Sequence, residues 1–103
     1  MKTVISFDGL LSIYRELDEA WCFFVDVGFV NESSYIDKAT YYLPETDDEL
    51  EDMDEMEDKY KGWLDYQTFG AIIDNKLEHH PNATRDELLE AVVYYLEEDD
   101  FLD

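Results

Sequence analysis

Trp21-Cys22-Phe23-Phe24-Val25, then Val27-Gly28-Phe29-Val30, is the stretch that decides the fold. Aromatic and β-branched residues dominate it, the types that suit a pleated, half-buried surface, and Asn31-Glu32-Ser33-Ser34 follows with turn chemistry. Residues 21–30 therefore read as a first strand region. Lys38-Ala39-Thr40-Tyr41-Tyr42-Leu43 reads as a second, closed by Pro44, which cannot donate to a ladder. The short link between them predicts an antiparallel pair. Trp63-Leu64-Asp65-Tyr66, just after Gly62, is a candidate third strand.

Outward from these segments the spacing of apolar residues changes from two to three and four. Phe7, Leu10, Leu11, Tyr14 and Leu17 mark one face of a helix near 7–18, with Ser6 placed to cap it. Phe69, Ile72, Ile73 and Leu77 do the same for a helix over 67–79, which His79-His80-Pro81 stops. Thr84-Arg85-Asp86-Glu87 has the form of a capping box, and the helix it opens, 85–97, carries Leu88, Leu89, Val92, Val93, Tyr95 and Leu96. The expected architecture is α+β: one domain over 1–103, with a small antiparallel sheet of two to three strands packed against about three helices.

Charge excludes several functions. The 103 residues hold 28 Asp and Glu against 7 Lys and Arg, a net −21. A direct nucleic-acid binder needs a basic face to neutralise phosphates, and an anionic membrane surface repels this chain for the same reason. At 46% apolar and 16% aromatic residues the chain is nonetheless too rich in core formers to be a disordered acidic tail. Its length allows one modest core. The longest apolar run, Ala20 to Val25, is far short of a membrane span, and Asp8 interrupts any signal-peptide apolar region. The lone Cys22 allows no internal disulfide, which points to a reducing cytoplasm. On that view Asn82-Ala83-Thr84 is a helix start rather than a glycosylation site.

Catalytic chemistry finds little to build on. Cys22 lies in an apolar run, the setting of an inert thiol. His79 and His80 are adjacent, so they cannot share a helix face as metal ligands do, and they suit the C-terminal capping of a helix. No glycine spacing forms a phosphate loop. Asp52-Met53-Asp54-Glu55-Met56-Glu57 puts Met where a calcium loop needs an oxygen ligand and lacks its glycine. The expectation is a protein that is not an enzyme, with no catalytic residue, cofactor or metal.

The chemistry that remains is in Glu45 to Asp58, ETDDELEDMDEMED, with ten carboxylates and no cation in fourteen residues. Thr46 and Glu49 form a possible capping box, and Leu50, Met53 and Met56 a thin apolar stripe, so a short helix or a turn is expected. Asp48 with Asp52, Glu51 with Glu55, and Asp54 with Asp58 repel at helical spacing, while Glu55–Lys59 and Glu57–Lys61 compensate in part. Glu97-Glu98-Asp99-Asp100-Phe101-Leu102-Asp103 adds carboxylates where a helix dipole prefers cations. A net charge of about 2–8 suffices for solubility in a domain of this size, so the excess calls for a basic surface outside the chain. Glu45, Asp47, Asp48, Glu49, Glu51, Asp52, Asp54 and Glu55 are the candidate electrostatic contacts. Tyr41, Tyr42, Tyr60 and Trp63, flanking the run, are the candidate aromatic anchors, the residue types that supply most affinity at an interface. Anchors among acids favour an inhibitor of a basic toxin such as a nuclease. The alternatives are a DNA mimic that deceives a nucleic-acid-binding enzyme or regulator, and an acidic solubilising domain with no tight partner.

These features resemble those of small acidic bacterial immunity proteins of contact-dependent growth inhibition and related polymorphic toxin systems. The likeness rests on the Trp-initiated strand Trp21–Val25, the strand Tyr41-Tyr42-Leu43-Pro44-Glu45 running into an acidic patch, and the C-terminal half: Leu64-Asp65-Tyr66-Gln67-Thr68-Phe69, Ile72-Ile73-Asp74-Asn75, Pro81-Asn82-Ala83-Thr84, Tyr94-Tyr95 and Asp99-Asp100-Phe101. The cytoplasmic location that the lone Cys22 points to accords with such a family, and a monomer is the expected state although the sequence leaves the oligomeric state open. The partner that the resemblance implies would be a cognate basic toxin, the C-terminal domain of a larger effector that cleaves tRNA or DNA, held one-to-one with its active site occluded.

Overall fold

Side-chain alternation along the strand Thr40–Leu43 divides the molecule in two. Tyr41 and Leu43 are buried on one face, and Tyr42 points to the other. The computed structural model describes residues 2–17 and 21–100. Its four strands, β1 (Lys2–Ile5), β2 (Cys22–Asp26), β3 (Thr40–Leu43) and β4 (Tyr60–Asp65), form one antiparallel sheet in the order β1-β3-β2-β4. The helices are α1 (Ser6–Ile13, continued by a 3-10 turn to Glu16), α2 (Ser33–Lys38), α3 (Asp47–Glu55), α4 (Tyr66–His79) and α5 (Arg85–Glu98). The class is α+β, as the sequence predicts.

The main core lies on one face. Phe23, Val25, Tyr41 and Leu43 of the sheet meet Phe7 and Leu10 of α1, Phe69, Ile72 and Ile73 of α4, and Leu89 and Val92 of α5. The Phe23 ring is the hub: ring centroids of Tyr66, Phe69, Trp63 and Tyr41 lie 4.8, 5.5, 6.1 and 6.2 Å away, in tilted and edge-on arrangements favourable for aromatic pairs. Arg85 pins the outer layer, pairing with Asp8 of α1, Asp37 of α2 and its neighbour Asp86. Among the described residues the opposite face of the sheet carries one helix, α3, whose Met53 is buried against it together with Phe24 of β2.

Several elements depart from the sequence expectations. The N-terminal residues form a fourth strand, paired with β3 through Val4 and Tyr41. Ser6 does not cap α1: it is the first helical residue, with φ 71°, and its N–H donates to Ala39 O at 2.8 Å. That left-handed turn swings β1 directly into α1, so closely that a Cβ on Gly9 would stand 2.5 Å from Val4 Cγ1. The expected 21–30 strand stops at Asp26: Val27 N–H still donates to Lys59 O at 2.9 Å, but Phe29 N–H turns back to Asp26 O at 2.9 Å and Gly28–Val30 leave the sheet. The link to β3 holds α2, whose Ile36 is fully buried. The third strand starts earlier than expected, at Tyr60, and Asp65 caps α4 by accepting Thr68 N–H at 3.3 Å. The capping box of α5 is present, with Thr84 Oγ1 accepting Glu87 N–H and Glu87 Oε1 accepting Thr84 N–H, each at 3.2 Å. The expected end of the first helix at Asp18, and Phe101 to Asp103 of the acidic tail, lie outside the described residues.

Candidate acidic binding face

Pro44 ends β3, and Thr46 starts α3 by accepting Glu49 N–H on its hydroxyl at 3.2 Å. The expected capping box is half formed: Glu49 Oε1 accepts the N–H of Glu45, one residue before the cap, at 3.2 Å, rather than that of Thr46. Glu49 is thus half-buried and folded onto the helix start. The apolar stripe faces the sheet, with Met53 buried and Leu50 and Met56 half-buried. The other carboxylates of the helix face solvent. Asp47, Asp48, Glu51, Asp52, Asp54 and Glu55 are exposed, and none makes an ion pair among the described residues.

The compensating pairs with Lys59 and Lys61 do not form. The helix ends at Glu55, so the four-residue spacing to Lys59 no longer brings the chains together. Lys61 Nζ instead donates to Phe29 O at 2.6 Å. The last turn of α3 has no basic residue, and Met56 O accepts the N–H groups of Lys59 and Tyr60 at 3.0 and 2.9 Å. The negative end of the helix dipole therefore abuts Tyr60 with Asp54, Glu55, Glu57 and Asp58 around it.

The structure sorts the four expected anchors into two pairs. Tyr42 and Tyr60 lie on the α3 side, half-buried, with ring centroids 4.9 Å apart. Tyr42 Oη donates to Asp26 Oδ1 at 3.2 Å, and burial first, then the Asp26 carboxylate, pushes the Tyr42 phenol above its ordinary range. Tyr41 and Trp63 face the other way. Tyr41 is 0% exposed, its hydroxyl donating to Ile36 O at 2.6 Å, so it is a core residue and no surface anchor. Trp63 is half-buried against Tyr41 and Phe29, at 5.2 and 5.7 Å, and its Nε1 donates to Asn31 Oδ1 at 3.0 Å. Strand alternation is the cause, since consecutive residues such as Tyr41 and Tyr42 cannot share a face.

Asp26 is the residue that sequence reasoning missed. It ends an apolar run, which is where alternation would have placed a polar group on the α3 side beside Tyr60, its register partner. Cys22 lies on the same side, and burial, then the Asp54 and Asp65 carboxylates, push its thiol up and keep it protonated. His79 Nδ1 sits 2.9 Å from Asn75 O in the last turn of α4. Tyr94 and Tyr95 are both half-buried, Tyr95 against the core. Among the described residues no group of three or more His, Cys, Asp or Glu side chains converges to hold a metal ion, and no helix is long and apolar enough to cross a membrane.

What the arrangement offers chemically is a cation-binding surface: exposed carboxylates and a helix C-terminus beside two tyrosines. No curated protein and no solved structure matches the chain. Residues 7–103, all but the segment that holds β1, match the family described as a domain of unknown function (DUF7716), and the chain belongs to that family.

Proposed function

We propose that the chain is an immunity protein, which binds a cognate basic toxin domain and neutralises it by covering its active site. A nuclease that cleaves tRNA or DNA is the target class, because its phosphate-binding cleft must be basic. One observation carries this reading: α3 presents six exposed carboxylates, without ion pairs among the described residues, on a face of the sheet that it only partly covers, beside the Tyr42–Tyr60 pair. Repulsion within such a row is relieved when a cationic surface docks. The acids then set the speed and choice of partner, and the tyrosines the hold. Steering of this kind raises association rates from about 10⁵–10⁶ to as much as 10⁸–10⁹ M⁻¹s⁻¹ at low salt.

The test begins with capture from the bacterium that encodes the chain, washed at low salt and again at about 0.5 M, where exposed charges are screened within a few ångströms. The expected result is one basic toxin domain, retained one-to-one, whose nuclease activity the chain abolishes. Replacing Asp47, Asp48, Glu51 and Asp52 by Asn or Gln then lowers the association rate at least about tenfold and flattens its salt dependence. An unchanged rate and salt dependence would remove α3 from the interface. Capture of DNA-binding proteins that duplex DNA displaces would replace the reading by DNA mimicry.

A further inference from the structure

The α3 side of the sheet does not end at the tyrosines. Where β2 leaves the sheet and β3 enters it, a groove of about 490 Å³ opens against α2. This volume is within the range of about 300–1,000 Å³ typical of sites that hold small molecules or single side chains. Phe29, Tyr35 and Ala39 give it a mostly apolar lining, Thr40 belongs to the sheet, and Asp26 and Lys38 are its charged groups. Tyr35 is 46% exposed although its ring meets Phe29 edge-on at 6.3 Å. The large apolar side chains that the described molecule exposes, Ile5, Val27, Val30 and Tyr35, all belong to this end: Val27 and Val30 bracket Gly28-Phe29, and Ile5 is the register partner of Thr40.

Two further observations say what fits there. Asp26 lines the groove and also accepts the Tyr42 hydroxyl, Tyr42 packs on Tyr60, and Tyr60 N–H closes onto Met56 O at the negative end of α3, so a row of contacts leads from the groove to that end. Within the groove Asp26 and Lys38 balance, so it is the carboxylates around the α3 end that require an occupant reaching across to be cationic beside its apolar part. Nucleic acid, anionic lipid and a second copy of this −21 chain are all repelled. Gly28, the second observation, stands at the groove with no positive φ, and a Cβ built on it meets nothing within 4 Å. Neither backbone nor packing requires glycine, yet its bare backbone leaves the groove open.

We propose that this groove seats one large apolar or aromatic side chain from a basic segment of the partner, with the Lys or Arg residues flanking that side chain lying on Asp26 and the C-terminal end of α3. The inference rests on the inhibitor reading above and names the anchor point that Tyr41 and Trp63 cannot supply. Two blocked pentapeptides test it on the full chain: four arginines around a central tryptophan, and the same peptide with central glycine. Both are titrated at low salt against isotope-labelled protein and followed by amide chemical shifts. The tryptophan peptide is expected to bind at least about fivefold tighter, a modest yield for burying one aromatic side chain, and to shift the amides of Gly28, Tyr35 and Thr40. Gly28→Phe, which fills the groove, erases that margin and leaves the glycine peptide bound as before. Tyr35→Ser, which trims an exposed wall, does the same should Gly28→Phe fold poorly. Equal affinities for the native chain, or a margin that survives both variants, overturn the groove while leaving the acidic face intact. Failure of both peptides to bind overturns the groove and the acidic face together.

Discussion

The two faces of one small sheet are built to opposite rules. Towards α1, α4 and α5 the sheet presents Phe23, Val25, Tyr41 and Leu43, each touching rings or branched chains that are themselves buried. Towards α3 it presents Phe24, Asp26, Tyr42 and Tyr60, and only Met53 of the helix above is buried. One face concentrates the cohesion and the other concentrates the repulsion. The difference shows where a domain this acidic can carry a dense row of charge: the seven carboxylates of α3 ride on a short helix outside the main core, where their mutual repulsion loads few of the contacts that hold the molecule together.

That contrast can be broken most forcefully at its hub. Phe23→Ala is expected to lower stability by about 3–5 kcal/mol, measured by denaturant unfolding, because the cavity lies amid four rings and cannot collapse. Met53→Ala, which empties the one buried position of α3 itself, is expected to cost about 2 kcal/mol, at the low end for a buried methionine. Hydrogen exchange sharpens the comparison: amides of α3 should lose protection in Met53→Ala while those of α4 keep theirs. An equal loss in both helices would mean that the faces fold as one unit.

High pH sharpens the contrast from another side. Burial holds the Tyr41 phenol well above the ordinary tyrosine range, and Tyr42 is raised less severely by burial and Asp26. A group whose folded value is raised contributes stability fully below its unfolded value, near pH 10, and that stability is lost as pH rises beyond it. Alkaline unfolding should therefore begin near pH 10, with one tyrosine ionising only as the chain unfolds. Tyr41→Phe should remove most of this pH dependence and Tyr42→Phe little of it, as followed by tyrosinate absorbance. The smallest expected effect is a gain. Exchanging Glu51 for Gln and Asp52 for Asn relieves the Asp48–Asp52 and Glu51–Glu55 pairs, leaves Asp47 and Asp48 in the favourable first turn of α3, and raises stability by about 0.5 kcal/mol in low salt. A large loss instead would show that the carboxylates support the fold.

Much of this was legible in the sequence wherever the signal is local. Thr46 with Glu49 and Thr84 with Glu87 mark helix starts within four residues, and the spacing of Phe69, Ile72 and Ile73 marks a face within five. What was hidden depends on distant chain. Lys2-Thr3-Val4-Ile5 is a strand only because β3 lies beside it, and Ser33–Lys38 is a helix with one fully buried residue, Ile36, beneath serines that read as a turn. The acidic half of the candidate site was readable as composition. Its aromatic half divides, because alternation keeps Tyr42 on the α3 face beside Tyr60 and buries Tyr41 in the core. Trp63 falls on the core side next to the irregularity between Cys22 and Phe24 pairings, which no local pattern announces.

The strand order has a kinetic consequence. Val4 pairs with Tyr41 and Cys22 with Asp65, so two of the three ladders join segments far apart in the chain, and each must close a long loop before its contacts reward it. During synthesis β1 waits unpaired until β3 has emerged, and the aromatic hub cannot assemble until β4 and α4 follow. The helices α4 and α5, local and well capped, are complete only at the end. The chain should therefore gather most of its order late and nearly at once, behaving in refolding as a single slow cooperative step rather than as a sheet that grows strand by strand.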